Sequence, residues 1–370
     1  MSHPAVSKPR FDYIDQFRGL VGILMLLGHC SYFFNSVWER LDPVDPVFES
    51  WGQFALRYAG YLCAPGFLMM SSVMTGWSYR QRIRKGASDR AARWQLIQRG
   101  LFLILVQVTW VNSSWGGFSE FKPGHIGIIA CIGTSMILLT LVIRFHWIAK
   151  LGLALALLLI HPILLKIQYD PSNTWQTVLM QTFVDAGEFN KYPVIPWFAL
   201  GLLGSAMATG WLEAWKTGKQ RIAWTAGIGI LALILAIVVR LGNGFGNIFP
   251  FSGFGSFSFF IDQKYPPSLF MGLWFFGLVL LGICAFLALN KVVPKILWIF
   301  STPGRVPLFF YGIHLAILGI FVKRMDLFYR EGGILATMIG FVIMMIIMLP
   351  LCKWFYGVKC RSGNWLIRMI

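Results

Sequence analysis

Apolar residues gather into ten runs separated by polar stretches, at about residues 18–37, 55–79, 98–114, 125–143, 147–166, 194–212, 222–241, 267–290, 306–322 and 334–356. A helix needs roughly 20 predominantly apolar residues to cross a bilayer, and each run approaches that length. The pattern predicts an all-α polytopic membrane protein, a bundle of about ten transmembrane helices. Two runs are irregular. The third is cut short by Asn112 and a Trp-Gly-Gly stretch, and the ninth starts only after Pro307. Both are expected to be broken helices lining a cavity, where irregular backbone at membrane depth is tolerated. No matching motifs recur between the two halves, which argues against an inverted-repeat transporter.

Composition agrees: 57% of residues are hydrophobic and 13% charged, and the mean hydropathy is +0.66, outside the range of a soluble domain. The net charge of +17 becomes informative once alternate loops are assigned to alternate sides. One side then holds 22 of the 32 Lys and Arg with four acids, the other ten with eleven acids. The split, +18 against −1, is a positive-inside bias that places both termini in the cytoplasm. It accounts for the charge without a nucleic-acid partner. No cleavage signature follows the first run, so it is expected to stay as a retained anchor. The expected organisation is a cytoplasmic segment 1–17, a transmembrane domain 18–356 and a cytoplasmic tail 357–370. The six cysteines show no paired spacing, so neither a disulfide framework nor a zinc site is inferred, and no metal is expected.

Two kinds of loop stand out. The stretch Arg80 to Arg99 holds seven basic residues and one acid; it either sets orientation and meets anionic lipid or receives a phosphate-rich cytosolic ligand. The outer loops 167–193 and 242–266 are rich in Gly, Asn, Ser and aromatics. Aromatic belts explain many such residues, yet loops this long are usually functional or disordered, and the mixture suits the faces and hydroxyls of a sugar.

Candidate chemistry begins between Asp15 and His29, where ionisable groups enter a segment otherwise built for lipid. Arg18 and His29, eleven residues apart, share one helix face about 16 Å apart along the axis. The plainer reading makes Arg18 a snorkelling anchor and His29 a satisfied bundle histidine. His314, about 13 Å into the ninth helix from Arg305 at helical rise, matches His29 in depth, and Tyr311 shares its face. On a straight helix Arg305 and His314 would point to opposite sides. His125 opens the fourth helix at the outer surface, where capping competes with a substrate role. His146 and His161 fall near helix ends, and His3 in a tail. Pro193-Val-Ile-Pro-Trp197 and Tyr265-Pro-Pro-Ser268 begin the sixth and eighth helices, as capping segments or as acceptor contacts.

These residues carry a resemblance. Ile14-Asp-Gln-Phe-Arg-Gly and Leu24-Met-Leu-Leu-Gly-His29 are followed by Cys63-Ala-Pro-Gly-Phe with Gly76, and by Arg99-Gly-Leu. Then come Tyr192-Pro-Val-Ile-Pro-Trp197, Lys264-Tyr-Pro-Pro-Ser-Leu269 and Gly304-Arg-Val-Pro-Leu-Phe-Phe-Tyr-Gly-Ile-His314. In this order they resemble the bacterial relatives of heparan-alpha-glucosaminide N-acetyltransferase. The first helix also resembles acyltransferase family three, marked by a basic residue, ten residues, then His. The resemblance implies a helix bundle that moves an acyl group from cytosolic acyl-CoA, with acetyl-CoA as donor, to an acceptor on the other side. The animal enzyme has a further catalytic histidine in the loop after its first helix; residues 36–54 here contain none. The catalytic role therefore falls on His29, as general base or transient acyl carrier, with Tyr311 or His314 assisting. Arg18, Arg99 and Arg305 are expected to hold the donor phosphates, with Asp15 steadying Arg18. Trp197, Tyr192, Tyr265, Ser268 and His125 are expected to meet a sugar or glycan, through a hydroxyl or an amine. The other expected partners are membrane lipids and, in a homodimer, a second copy. A proton-coupled transporter using the same Arg and His groups, and a scaffold subunit, are the alternatives.

Overall fold

A computed structural model describes residues 11–40, 48–121, 124–290 and 292–370. The expected N-terminal segment up to residue 10, positions 41–47 of the loop after the first helix, Lys122, Pro123 and Lys291 lie outside the described residues. The chain is all-α. In order come α1 (Asp12–Phe34), α2 (Trp51–Tyr61), α3 (Cys63–Arg84), α4 (Asp89–Val106), α5 (Ile128–Val142), α6 (Trp147–Leu164) and α7 (Thr174–Phe183). They are followed by α8 (Val194–Thr209), α9 (Gly218–Leu241), α10 (Leu269–Leu289), α11 (Trp298–Arg305), α12 (Pro307–Ile317), α13 (Ile334–Arg361) and α14 (Trp365–Met369). Among the described residues, eight helices, counted with their continuations, are long and apolar enough to cross a membrane. Of the remaining two apolar runs, one folds as α5, of 15 residues, and the run 55–79 is divided at Leu62 between α2 and α3, which ends in a polar, Arg-rich turn.

Position in the bundle follows from burial. In α8 and its continuation to Ala214, 83% of the most apolar window is inside the protein, against 22% in α6, α9 and α13. The first is a central helix. The other three turn Leu, Ile and Val faces outward, as a lipid-facing helix should.

Both irregular runs are broken where expected. After α4 the backbone widens into a π-helical turn, Gln107–Val111, and then a short helix, Asn112–Trp115. The break is stabilised by buried amides: Gln107 Nε2 donates to Asn112 Oδ1 at 2.8 Å, and Gln107 Oε1 accepts from the Ile129 amide at 3.2 Å. Asn112 Nδ2 donates to the His125 carbonyl at 2.9 Å. One polar pair thus satisfies the Ile129 N–H at the start of α5, which would otherwise be orphaned, and a carbonyl just before the helix. The ninth run begins at a break: α11 ends with Val306 as C-cap (φ −135°, ψ 54°), and Pro307 opens α12 where its missing N–H does no harm. It too ends in a π-helical turn, Leu318–Arg324. Arg305 and His314 therefore sit on separate helices, and the straight-helix objection to their facing one site does not apply.

Glycines set the closest crossing. α1 packs on α11 so tightly that a Cβ on Gly19 would overlap the Phe300 carbonyl, and one on Gly304 the Asp15 carbonyl. With little hydrophobic drive between helices in lipid, backbone approach of this kind supplies the packing. We predict that Gly304→Ala destabilises the protein by about 1–3 kcal/mol, seen as a lower Tm in detergent. Gly76→Ala, where a Cβ meets nothing within 4 Å, should leave Tm unchanged or raise it slightly. Equal Tm for both variants would contradict the crossing.

Candidate active site

α1 and α12 bring two histidines together. His29 Nδ1 lies 2.8 Å from His314 Nε2, and His314 Nδ1 lies 2.6 Å from the Phe310 carbonyl. A carbonyl only accepts, so His314 Nδ1 carries a proton and donates it. In a neutral His314 the Nε2 is then an acceptor, and the 2.8 Å contact is filled by the proton on His29 Nδ1. Neutral His29, its one proton so placed, keeps the Nε2 lone pair open. His314 is fully buried, while His29 remains partly accessible. The His29 ring is met edge-on by Trp115 at 5.0 Å and by Tyr311 at 5.7 Å between centroids.

A cavity of about 630 Å³ reaches Tyr311, whose ring meets His29. Six basic side chains line it: Arg18, Arg82, Lys85, Arg99, Arg305 and Lys359. On α3 the lining residues Ser71, Met74, Ser78, Arg82 and Lys85 form one stripe, spanning about 21 Å at helical rise. Met25, one turn before His29, and Tyr311 also line the cavity, among apolar side chains from α4 and α5. Arg18 holds an ion pair with Asp15 at 3.3 Å. Arg305 stacks over Tyr356 at 5.2 Å, and its buried Nε makes no hydrogen bond.

The basic stretch after α3 divides by role. Arg82, Lys85 and Arg99 face the cavity. Arg80 and Arg84 pair with Glu213 at 2.7 and 3.5 Å, and Arg93 pairs with Asp89 at 3.0 Å. Lys359 went unnoticed in the sequence because nothing local distinguishes it from an ordinary positive-inside residue.

A second, aromatic group forms from distant loops. Tyr192 and Tyr265 hydroxyls are 3.1 Å apart, and Tyr192 packs on Trp197 at 5.1 Å. Trp197 is 1% exposed, so it backs Tyr192. Lys264, which the sequence offers only as part of a motif and without a role, donates to the Gly60 carbonyl at 3.2 Å and lies over the Tyr61 and Tyr265 rings. The Gly60 backbone abuts Gly28, the residue before His29. The loop carrying Lys264 and Tyr265 is pinned by buried Arg240, which bonds Asn247 and the Phe249 and Phe259 carbonyls and pairs with Asp262 at 3.8 Å. Two expected residues are engaged in local structure. Ser268 caps α10 through the Met271 amide at 3.2 Å, and His125 Nδ1 reaches the Glu188 carbonyl at 3.1 Å. Burial holds the His125 imidazole below its ordinary pKa, so it is neutral at pH 7.

The family model for heparan-alpha-glucosaminide N-acetyltransferase, catalytic, matches residues 10–238, well over half of the chain. The chain belongs to that family. No curated protein matches the chain. As a member of the heparan-alpha-glucosaminide N-acetyltransferase catalytic family with eight apolar helices of spanning length, the protein is an acetyltransferase of the membrane. The matched segment contains His29, Arg18, Arg99 and Tyr192; His314, Tyr311, Arg305 and Lys264 lie beyond it and join the site only through the fold. The likeness to acyltransferase family three rests on the Arg18–His29 spacing alone.

His314→Ala, which removes the acceptor for His29 Nδ1–H, should lower kcat by about 10- to 10,000-fold, the upper figure being the effect of losing the tautomer-setting partner of a triad histidine, with acetyl-CoA affinity unchanged. His125→Ala should keep full activity. Steady-state turnover paired with acetyl-CoA binding checks both; a wild-type kcat for His314→Ala would dismiss the tautomer argument.

Proposed function

We propose that the protein moves an acetyl or other short acyl group from cytosolic acyl-CoA to a hydroxyl or amine of a sugar or envelope glycan on the outer side of a bacterial inner membrane. The family's name favours the amine of a glucosamine unit as acceptor. The observation that carries the reading is one cavity with six basic side chains around it and Tyr311, the neighbour of the histidine pair, among its lining.

Guanidinium forks suit phosphate oxygens, so Arg18, Arg82, Arg99 and Arg305, with Lys85 and Lys359, receive the nucleotide end of the donor. Asp15 holds Arg18 in place. The hydroxyl-bearing stripe of α3 passes the pantetheine arm inward, and the thioester arrives beside Tyr311. From the opposite side the acceptor rests against Tyr192, Tyr265 and Lys264. His29 Nε2 takes the acceptor's proton as its oxygen or nitrogen attacks the thioester carbon. The C–S bond breaks as the new C–O or C–N bond forms, and the proton on His29 passes to the departing thiolate to give free CoA. Tyr311 O–H donates to the carbonyl oxygen while it carries negative charge. Both nitrogens of His314 are engaged, so its part is to set the His29 tautomer.

His29→Ala or His29→Gln should lower CoA release from acetyl-CoA by about 100- to 10,000-fold without loss of expression or acetyl-CoA binding. Arg99→Ala and Arg305→Ala should instead raise the KM for acetyl-CoA with kcat little changed. Purified wild-type protein that binds acetyl-CoA but neither releases CoA nor labels an acceptor would contradict acyl transfer and favour a transporter. Sidedness has its own test. Inside-out vesicles should consume external acetyl-CoA only when an impermeant acceptor is trapped inside; a requirement for both substrates on one face would refute transfer across the membrane.

A further inference from the structure

The two broken helices meet. Trp110 Nε1 donates to the Gly312 carbonyl at 2.9 Å, joining the π-helical turn after α4 to α12 between Tyr311 and His314. A Cβ on Gly319 would overlap the Ser114 carbonyl, so the second π-helical turn presses directly on the short helix ending at Trp115. Gly117, at φ +64°, turns the chain there, and a Cβ on it would come within 2.8 Å of the Gly319 carbonyl. Lys323 Nζ, from the same π-helical turn, donates to the Trp115 carbonyl at 3.0 Å. π-Helical insertions recur at functional sites, and the second of these two holds the short segment that carries Trp115.

The Trp115 side chain reaches the reactive groups. Its indole stacks on Phe33 (5.7 Å, 14°) and meets Tyr32 edge-on at 5.1 Å, which fixes the ring plane. The ring meets His29 at 5.0 Å, and the indole is within hydrogen-bonding reach of the Tyr311 hydroxyl. Indole N–H only donates. A donor on the Tyr311 oxygen leaves the phenolic hydrogen free to point at an oxyanion, and an edge-on ring stops the His29 imidazole from turning its lone pair away.

We propose that Trp115 is a positioning residue for acyl transfer: held by Lys323 and the glycine contact between the two broken helices, it orients the His29 ring and the Tyr311 hydroxyl together. The assignment rests on the acyl-transfer reading above.

The test is a double-mutant cycle on full-length protein in detergent, with CoA release from acetyl-CoA in the presence of glucosamine as readout. Trp115→Phe keeps an aromatic ring and removes the N–H. It should lower kcat about 10- to 100-fold and alter the pH profile of kcat, with acetyl-CoA binding and Tm at wild-type values. Tyr311→Phe, lacking the hydroxyl that Trp115 orients, should lose about 100- to 1,000-fold, and adding Trp115→Phe to it should cost less than threefold more. If Trp115→Phe fails to fold, Lys323→Met, which keeps the indole but removes the bond that holds its backbone in position, carries the same cycle. Wild-type kcat in Trp115→Phe, or equal losses with and without the Tyr311 hydroxyl, would overturn the assignment. So would Tm and acetyl-CoA binding falling together with kcat, which marks plain packing. Absence of turnover in the wild type would instead count against the acyl-transfer reading itself.

Discussion

The hydrogen bond between His29 and His314 is the constraint on which the site depends. It joins residues 285 apart in the chain, so α1 and α12 must meet at one depth with their rings in register. A helix entering at Arg305 and running straight would turn His314 away. The break at Val306 removes that conflict, and the carbonyl of Phe310, one turn before His314, then fixes which nitrogen bears the proton. The strained-looking features of the chain, a proline-led helix and two π-helical turns, gather around this bond, which is where irregular backbone within a bundle is tolerated.

Charge is arranged with comparable economy. Many basic residues near the ends of helices serve only to orient a membrane protein, and several here are neutralised by Glu213 or Asp89. The six around the cavity are different, because they share one space with a tyrosine that touches the histidine pair. Confined cations at close quarters repel one another unless an anion joins them, and a polyphosphate ligand would relieve that repulsion. The aromatic group of Tyr192, Tyr265 and Lys264 approaches the same pair past Gly28 and Gly60. In the proposed transfer the two substrates would meet at one imidazole, each held by one of these groups of side chains.

Much of this is legible in the sequence. Hydrophobic runs located the helices, because spanning length and backbone satisfaction leave few alternatives in lipid. Asn112 and Pro307 marked the two breaks, since an amide or a proline inside an apolar run must be accommodated. Depth counting paired His29 with His314. The proton inventory was not legible, because it depends on Phe310 O and on a 2.8 Å approach across the fold. Lys359 and Lys264 were equally hidden: a basic residue at a helix end or in an aromatic loop looks the same whether it anchors, orients or binds. Trp115 read as part of a helix breaker, and its contact with His29 came only from the docking of one broken helix on another. Ser268 and His125 show the reverse, polar residues in suggestive segments that local capping and loop bonds engage.

The most direct test of the account is an experimental density map of the protein with acetyl-CoA bound in a membrane mimetic. The account predicts the nucleotide phosphates among Arg18, Arg82, Lys85, Arg99, Arg305 and Lys359, the arm along the Ser71 to Lys85 face of α3, and the thioester carbonyl against Tyr311 within reach of His29 Nε2. Acetyl-CoA ordered elsewhere, or its thioester ending away from the histidine pair, would contradict the central claim.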